Sequence, residues 1–288
     1  MARLRRKAVR DHTYFAKKAE DMASVTKHLD YLAAIWKLRY FWFSMVKKDL
    51  DHRYKKSFFG IGWSLLRPLA MTFIFCMVFG KLFGYPLEEY APYLLVGMMT
   101  WQFITECLLQ GCYSFSLGSA YIRQQPIPLA IFPLRSALGS GFHFLVALCV
   151  ALAVSFYFKG SLDLAALLNL IPAIILLFLV GWSLAVVSGV LYTHFPDTNH
   201  LQEIGLQILF YVTPIMYRTE SISGRHRLMA LVELNPITSL LELMRTPILE
   251  GTAPNMHHIL ISLLILVIVG GTAILLLRKL ERTLIFWI

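Results

Sequence analysis

The sequence predicts an all-α integral membrane protein: six transmembrane helices preceded by an amphipathic helix lying in the membrane interface, with short re-entrant helices between spans five and six. Three observations carry this. Of 288 residues, 57% are hydrophobic and only 15% charged, whereas soluble domains carry about a quarter charged residues. The charge is uneven, because residues 1–62 hold 15 Lys and Arg against 6 Asp and Glu, nearly all of the net +10. The rest of the chain contains six stretches near the roughly 20 apolar residues that a helical span needs. A soluble enzyme is excluded. The chain divides into a basic cytoplasmic arm (1–26), an amphipathic interface helix (27–56) and a six-span transmembrane domain (57–288).

The arm comes first. No uninterrupted apolar stretch follows it before about residue 57, so it does not read as the start of a secretory signal and is expected to stay on the mature chain. Nucleic-acid binding sits badly with several membrane spans, and a cytoplasmic flank facing anionic lipid fits the charge better. In the next segment Leu29, Leu32, Trp36, Tyr40, Phe43, Val46 and Leu50 recur every three or four residues, with Lys27, Asp30, Lys37, Lys47, Lys48 and Asp51 filling much of the other side. Aromatic anchors beside a basic face mark a helix lying in the interface. A small cytoplasmic domain is the alternative, but about 60 residues make a marginal core alone.

The expected spans are 63–83, 92–113, 137–158, 164–192, 201–217 and 258–277. The fourth is long and is expected to tilt or bend, with Pro172 giving it a place to bend. The fifth, at about 17 residues, is at the short limit. Basic flanks place the N-terminus in the cytoplasm, and six crossings return the C-terminus, with Arg278, Lys279 and Arg282, to the same side. Residues 218–257, with four Arg and four Glu, mildly violate the positive-inside pattern and are too long for a turn. Helical apolar spacing at 227–233 and 237–249, punctuated by Asn235-Pro236 and Pro247, predicts short helices dipping into the outer half of the membrane. Cys76, Cys107, Cys112 and Cys149 lie in apolar stretches without C-x-x-C spacing and read as small buried hydrophobes.

Several chemistries lack their residues. The sole Gly-Lys pair, Gly80-Lys81, is followed by Leu82, so no phosphate-cradling G-x-x-x-x-G-K-[ST] loop is present. Neither H-E-x-x-H nor G-x-S-x-G occurs, and no His and carboxylate cluster has metal-ligand spacing. No catalytic residue, metal site or cofactor of the chain's own is expected.

At this point the chain resembles the type 2 ABC exporter permeases, within them the branch exporting O-antigen, capsule and teichoic acid. Asp49, Arg53, Tyr54, Ser57, Gly60, Trp63 and Pro68 follow that family's D-x-x-x-R-Y-x-x-S-x-x-G-x-x-W-x-x-x-x-P pattern. Further matches are Leu95 to Phe103 in the second span, Pro126-Ile127-Pro128, Phe195-Pro196-Asp197, Gln207 to Tyr217 with Pro214, and Leu234-Asn235-Pro236. Together they run over residues 28–285, with Pro196 standing where the family usually has arginine. The resemblance implies a homodimer of six-span subunits in the cytoplasmic (inner) membrane. These enclose a channel for a lipid-linked polysaccharide and are driven by two copies of a cytoplasmic ATPase subunit that binds the ATP. It also implies that the interface helix, with Trp36, Lys47 and Lys48, and the loop with Tyr121, Arg123, Gln124 and Gln125 contact that ATPase. Rival readings are an exporter of a drug or small lipid from the same superfamily and an intramembrane enzyme of lipid or glycan synthesis.

Ionisable residues inside spans default to functional hypotheses. Arg67 and Glu106 lie at similar expected depths, roughly 9–10 Å from the cytoplasmic end of consecutive spans, and so form a candidate ion pair. Alternatively Arg67 snorkels to headgroups and Glu106 is protonated or faces a wet channel. His143 and Glu203 read as core or end-of-span residues. Sugar rings present flat C–H faces, which aromatic platforms suit. Trp101, Phe103, Tyr113, Phe115, Tyr192, Phe210, Tyr211 and Tyr217, with Glu106, are therefore the candidate channel residues.

Overall fold

The computed structural model describes residues 28–55, 57–160, 164–218, 229, 231, 232 and 234–280. The arm at 1–26, Arg282, and most of the helix expected at 227–233 lie outside these residues. The described chain is helical, and no strand occurs among the described residues.

The amphipathic segment forms two helices, α1 (His28–Lys37) and α2 (Arg39–Tyr54), broken at Leu38, where a single helix to residue 50 is expected. The break leaves carbonyls without their helical donors, and Trp42 Nε1 donates to one of them, Ile35 O, at 3.1 Å. Ile35, Leu38, Phe41, Trp42 and Met45 pack inward. Leu32, Trp36, Tyr40 and Phe43 form an outward stripe, each more than half exposed. The expected apolar face is thus divided, with Val46 buried and the aromatic stripe facing out.

The third helix, α3 (Gly62–Phe75), continues through a π-helical turn at Cys76–Gly80 to a last turn at Lys81–Phe83. Gly84 ends it at φ +69°, a left-handed conformation that favours glycine. Next come α4 (Leu87–Cys112), α5 (Ser114–Gln124), α6 (Ile131–Lys159), α7 (Leu164–Leu168), α8 (Leu170–His194) and α9 (Thr198–Val212). The chain resumes with α10 (Pro236–Arg245), a π-helical turn at Thr246–Glu250, and α11 (Met256–Leu280). The fourth apolar stretch breaks at Asn169 rather than at Pro172 itself. A proline ring collides with the carbonyl four residues before it, here Leu168 O, so the helix restarts just upstream with Pro172 in its first turn.

Among the described residues, four helical stretches are long and apolar enough to cross a membrane: Gly62–Gly80, Ile131–Lys159, Ala166–His194 and Met256–Lys279. The 26 residues of α4 supply the length, but Glu88, Glu89, Gln102, Glu106 and Gln110 dilute its hydropathy. At 15 residues, α9 rises only about 22 Å. The centre of the bundle is α4, which packs against α3, α6, α8, α9 and α10 and has fifteen buried residues. Its contact with α8 is close because small residues meet there. A Cβ on Gly111 would stand 2.6 Å from Ala185 Cα, and Gly181 and Gly189 lie one helical repeat to either side. In contrast, α3 buries only Pro68 and Thr72. Cys107 and Cys112 are buried as expected, Cys76 is half-buried and Cys149 is exposed.

Candidate functional site

Polar side chains gather at both ends of the bundle. At the end carrying α1 and α2, α2 lies across the start of α6. There Asp49 accepts from both Nε and Nη2 of Arg135 in a bidentate pair. One turn on, Arg53 Nη1 donates to His143 Nε2 at 2.9 Å, and Tyr54 OH lies 3.1 Å from His143 Nδ1. A guanidinium only donates, so Nε2 is the acceptor, and the imidazole proton sits on Nδ1 facing the Tyr54 oxygen. On α4, Gln102 Nε2 donates to Glu106 Oε1 at 3.0 Å. Asp49, Arg53, Gln110, Arg135, Ser140 and His143 help line a cavity of about 190 Å³, room for about six waters. Two further contacts join α1 and α2 to the chain around α5. Phe41 meets Tyr121 edge-on at 5.4 Å, and Ala130 N donates to Tyr31 OH at 3.2 Å.

At the far end the partners are backbone carbonyls. Pro214 cannot continue α9 and disfavours helix at the residue before it, so the carbonyls of 212–217 lose their helical donors. Side chains from α4, α10 and the turn itself replace them. Arg245 Nη1 donates to Pro214 O at 2.8 Å and Nη2 to Ile215 O at 3.2 Å. Tyr90 OH donates to Met216 O. Tyr93 OH lies within reach of Pro214 O at 3.2 Å and Tyr217 O at 3.0 Å, and Tyr217 OH donates to Val212 O at 2.8 Å. Arg245 is 2% exposed, pairs with Glu242 at 3.1 Å, and lies 3.7 Å from the centre of the Tyr93 ring. Its guanidinium fills the notch left by Gly97, where a Cβ would come within 2.5 Å of Nη2. Asn235 accepts from Ile237 N at 3.0 Å, capping α10 with Pro236 at its first position, and donates to Thr213 Oγ1 at 2.8 Å. The segments 213–217 and 234–236, which the sequence presents as separate motifs, are thus one knot.

Of the candidate channel aromatics, Trp101, Phe103 and Phe115 are buried: Trp101 packs on Phe210 and Leu206, and Phe103 on Phe144. These rings build the core of this subunit and line no open surface. Tyr113 and Tyr192 meet at 5.1 Å at the α1–α2 end, with Tyr113 37% exposed. Near them Gln202 joins Ser188 to Cys112, and Asn199 donates to Glu203 at 2.8 Å. Phe210 and Tyr217 are half-buried and Tyr211 is exposed. Among the coupling candidates, Trp36, Lys47, Lys48, Arg123, Gln124 and Gln125 are exposed and Tyr121 is half-buried. Arg67 and Glu106 are not brought within ion-pair distance: Arg67 is exposed on α3, while Glu106 is half-buried and bonded to Gln102. Matched depth does not fix the direction in which two helices point their side chains. Sequence reasoning missed Arg245, Arg135 and the Arg53–His143 contact. The signal for Arg245 was present, as a cation within the apolar helical stretch 237–249.

A bundle with several apolar helices and buried polar networks defines a multi-pass membrane protein. Residues 40–249 match the family described as ABC-2 type transporter, and the chain belongs to that family. It is similar to the O-antigen export system permease protein RfbA of Klebsiella pneumoniae, with 26% identity over 229 residues, 78% of this chain and 87% of that protein. A second Klebsiella pneumoniae protein of that name is 24% identical over 208 residues, 72% of this chain and 80% of its own length. Its namesake from Myxococcus xanthus is 20% identical over 213 residues, 74% of this chain and 81% of its own length.

Proposed function

We propose that the chain is the permease subunit of an ABC transporter that moves a lipid-linked polysaccharide outward across the cytoplasmic membrane. In this reading it works as a six-span homodimer energised by two copies of a separate ATPase. The observation that carries the reading is its similarity, over most of both chains, to permeases named for O-antigen export. Spans α4 and α9 join the four more apolar stretches, both termini face the cytoplasm, and α10 with its π-helical turn re-enters from outside. The sparsely buried α3 is available to a second copy. Tyr113 and Tyr192, at the cytoplasmic end, are the aromatic pair best placed to meet sugar rings on entry.

The cycle is a population shift in which ATP binding by the partner moves the exposed α1–α2 surface and the loop at 121–128. The Phe41–Tyr121 and Tyr31–Ala130 contacts make these elements move together. The Asp49–Arg135 pair and the Arg53–His143 contact pass the motion to α6.

The test is deletion of the gene in its own host, with complementation. Surface glycan is expected to disappear while lipid-linked glycan accumulates at the cytoplasmic face, and the intact gene restores export only with its ATPase present. Unchanged surface glycan in the deletion strain would overturn the proposal.

A further inference from the structure

An apolar groove of about 610 Å³ runs between α1, α8 and α11, beside the Tyr31–Ala130 contact. Ile35, Trp182, Leu266, Gly271 and Leu277 are among its walls, and Arg278 stands at one end. Three polar groups on the walls are already satisfied. Trp182 Nε1 donates to Ala130 O at 3.2 Å, Ser183 Oγ donates to Leu179 O at 2.8 Å, and Tyr31 OH accepts from Ala130 N. Apart from Arg278, the remaining side chains of the lining are hydrocarbon. Gly271 opens the floor, since a Cβ there would meet nothing within 4 Å.

From Leu266 to Arg278 the helix rises about 18 Å, close to the depth of one leaflet in a hydrocarbon core about 30 Å thick. The groove therefore has the length of one acyl chain, with a cation at headgroup level. We infer that it is a binding site for one anionic phospholipid, with an acyl chain lying along Gly271 and the phosphate at Arg278. In the orientation proposed above this is a lipid of the cytoplasmic leaflet. Such a lipid would brace α1 against α8 and α11, filling space that the described residues leave open. A polyprenyl chain is a poorer match, being several times longer than the groove.

The full-length chain, purified in mild detergent and stripped of lipid, is titrated with phosphatidylglycerol or phosphatidylcholine of identical acyl chains, and retained lipid is counted by native mass spectrometry. One tightly held phosphatidylglycerol is expected, favoured about fivefold over phosphatidylcholine, the preference one basic residue supplies near an anionic headgroup. Gly271→Leu should abolish the retained lipid while leaving the thermal unfolding midpoint of the lipid-free protein unchanged. Should that variant not fold, Arg278→Gln decides alone by bringing the preference close to one. Equal retention of the two lipids, full retention in Gly271→Leu, an undiminished preference in Arg278→Gln, or recovery of polyprenyl phosphate as the bound molecule from native membranes would each overturn the assignment. Lipid retention is read without glycan or ATPase, so its failure is distinct from a failure of the export reading.

Discussion

The two ends of the bundle solve the problem of buried polarity in opposite ways. At the α1–α2 end, side chains satisfy other side chains around a cavity large enough for water. At the far end, side chains satisfy backbone carbonyls, and the central guanidinium is 2% exposed. Pairs of side chains can exchange partners, or accept water, as helices shift. A carbonyl fixed by the chain's own turn has no such freedom, and losing its donor leaves it stranded. The first arrangement suits a region that must move, and the second a region that must hold.

The most severe way to break this contrast is to remove the far-end cation. Arg245→Leu strands the carbonyls of Pro214 and Ile215 and is expected to cost about 3 kcal/mol, measured as a lowered unfolding midpoint in detergent. A loss below about 1 kcal/mol would mean that water or a rearranged Tyr93 replaces the guanidinium. Next, Gly97→Ala pushes a methyl into Nη2 and should cost about 2 kcal/mol. In an Arg245→Leu background the same change should cost far less, because the clash has gone. Full additivity of the two would separate Gly97 from the knot.

At the other end the effects are expected to be smaller. The Asp49–Arg135 pair is bidentate, but the Asp49 side chain is 44% exposed. Asp49→Asn should therefore cost about 1 kcal/mol or less and lose less still at high salt. Its export defect should exceed its stability defect, since its contact lies in the proposed path of motion. The smallest effect concerns Arg67 and Glu106. With no contact between them, a double-mutant cycle of Arg67→Leu and Glu106→Gln should show coupling below about 0.5 kcal/mol. A coupling above 1 kcal/mol would restore the ion pair expected from their matched depth.

These residues also show what a sequence discloses. Helix boundaries follow local chemistry and were largely legible: Asn235-Pro236 starts α10, and Pro214 ends the helix before it. Pro172 marked a real break, displaced upstream by the reach of its ring. The break at Leu38 had no comparable mark, because no Pro or Gly stands there and Trp42 supports it through a carbonyl. Arg245 was hidden for the same reason: its acceptors are main-chain oxygens 31 and 30 residues upstream, and main-chain oxygens carry no residue signature. The rule that singled out Arg67 applied equally to Arg245, yet the buried cation was the one inside the apolar stretch 237–249. For the aromatics, composition supplied the candidates, but helix azimuth decided that Trp101, Phe103 and Phe115 pack inward.

The shortness of α9 has an energetic side. A hydroxyl-rich chain is kept out of a bilayer by the cost of entering a low-dielectric slab, and that cost grows with the thickness to be crossed. In the six-span orientation proposed above, α9 stops after 15 residues and leaves about 8 Å of the slab's depth not bridged by helix. In that orientation the carbonyls of 212–217 lie at that depth, held by Arg245 and three tyrosines. A polar cargo passing beside α9 would therefore face a thinner insulating layer than anywhere along the fully spanning helices, and the knot keeps that layer thin without letting water dissolve it.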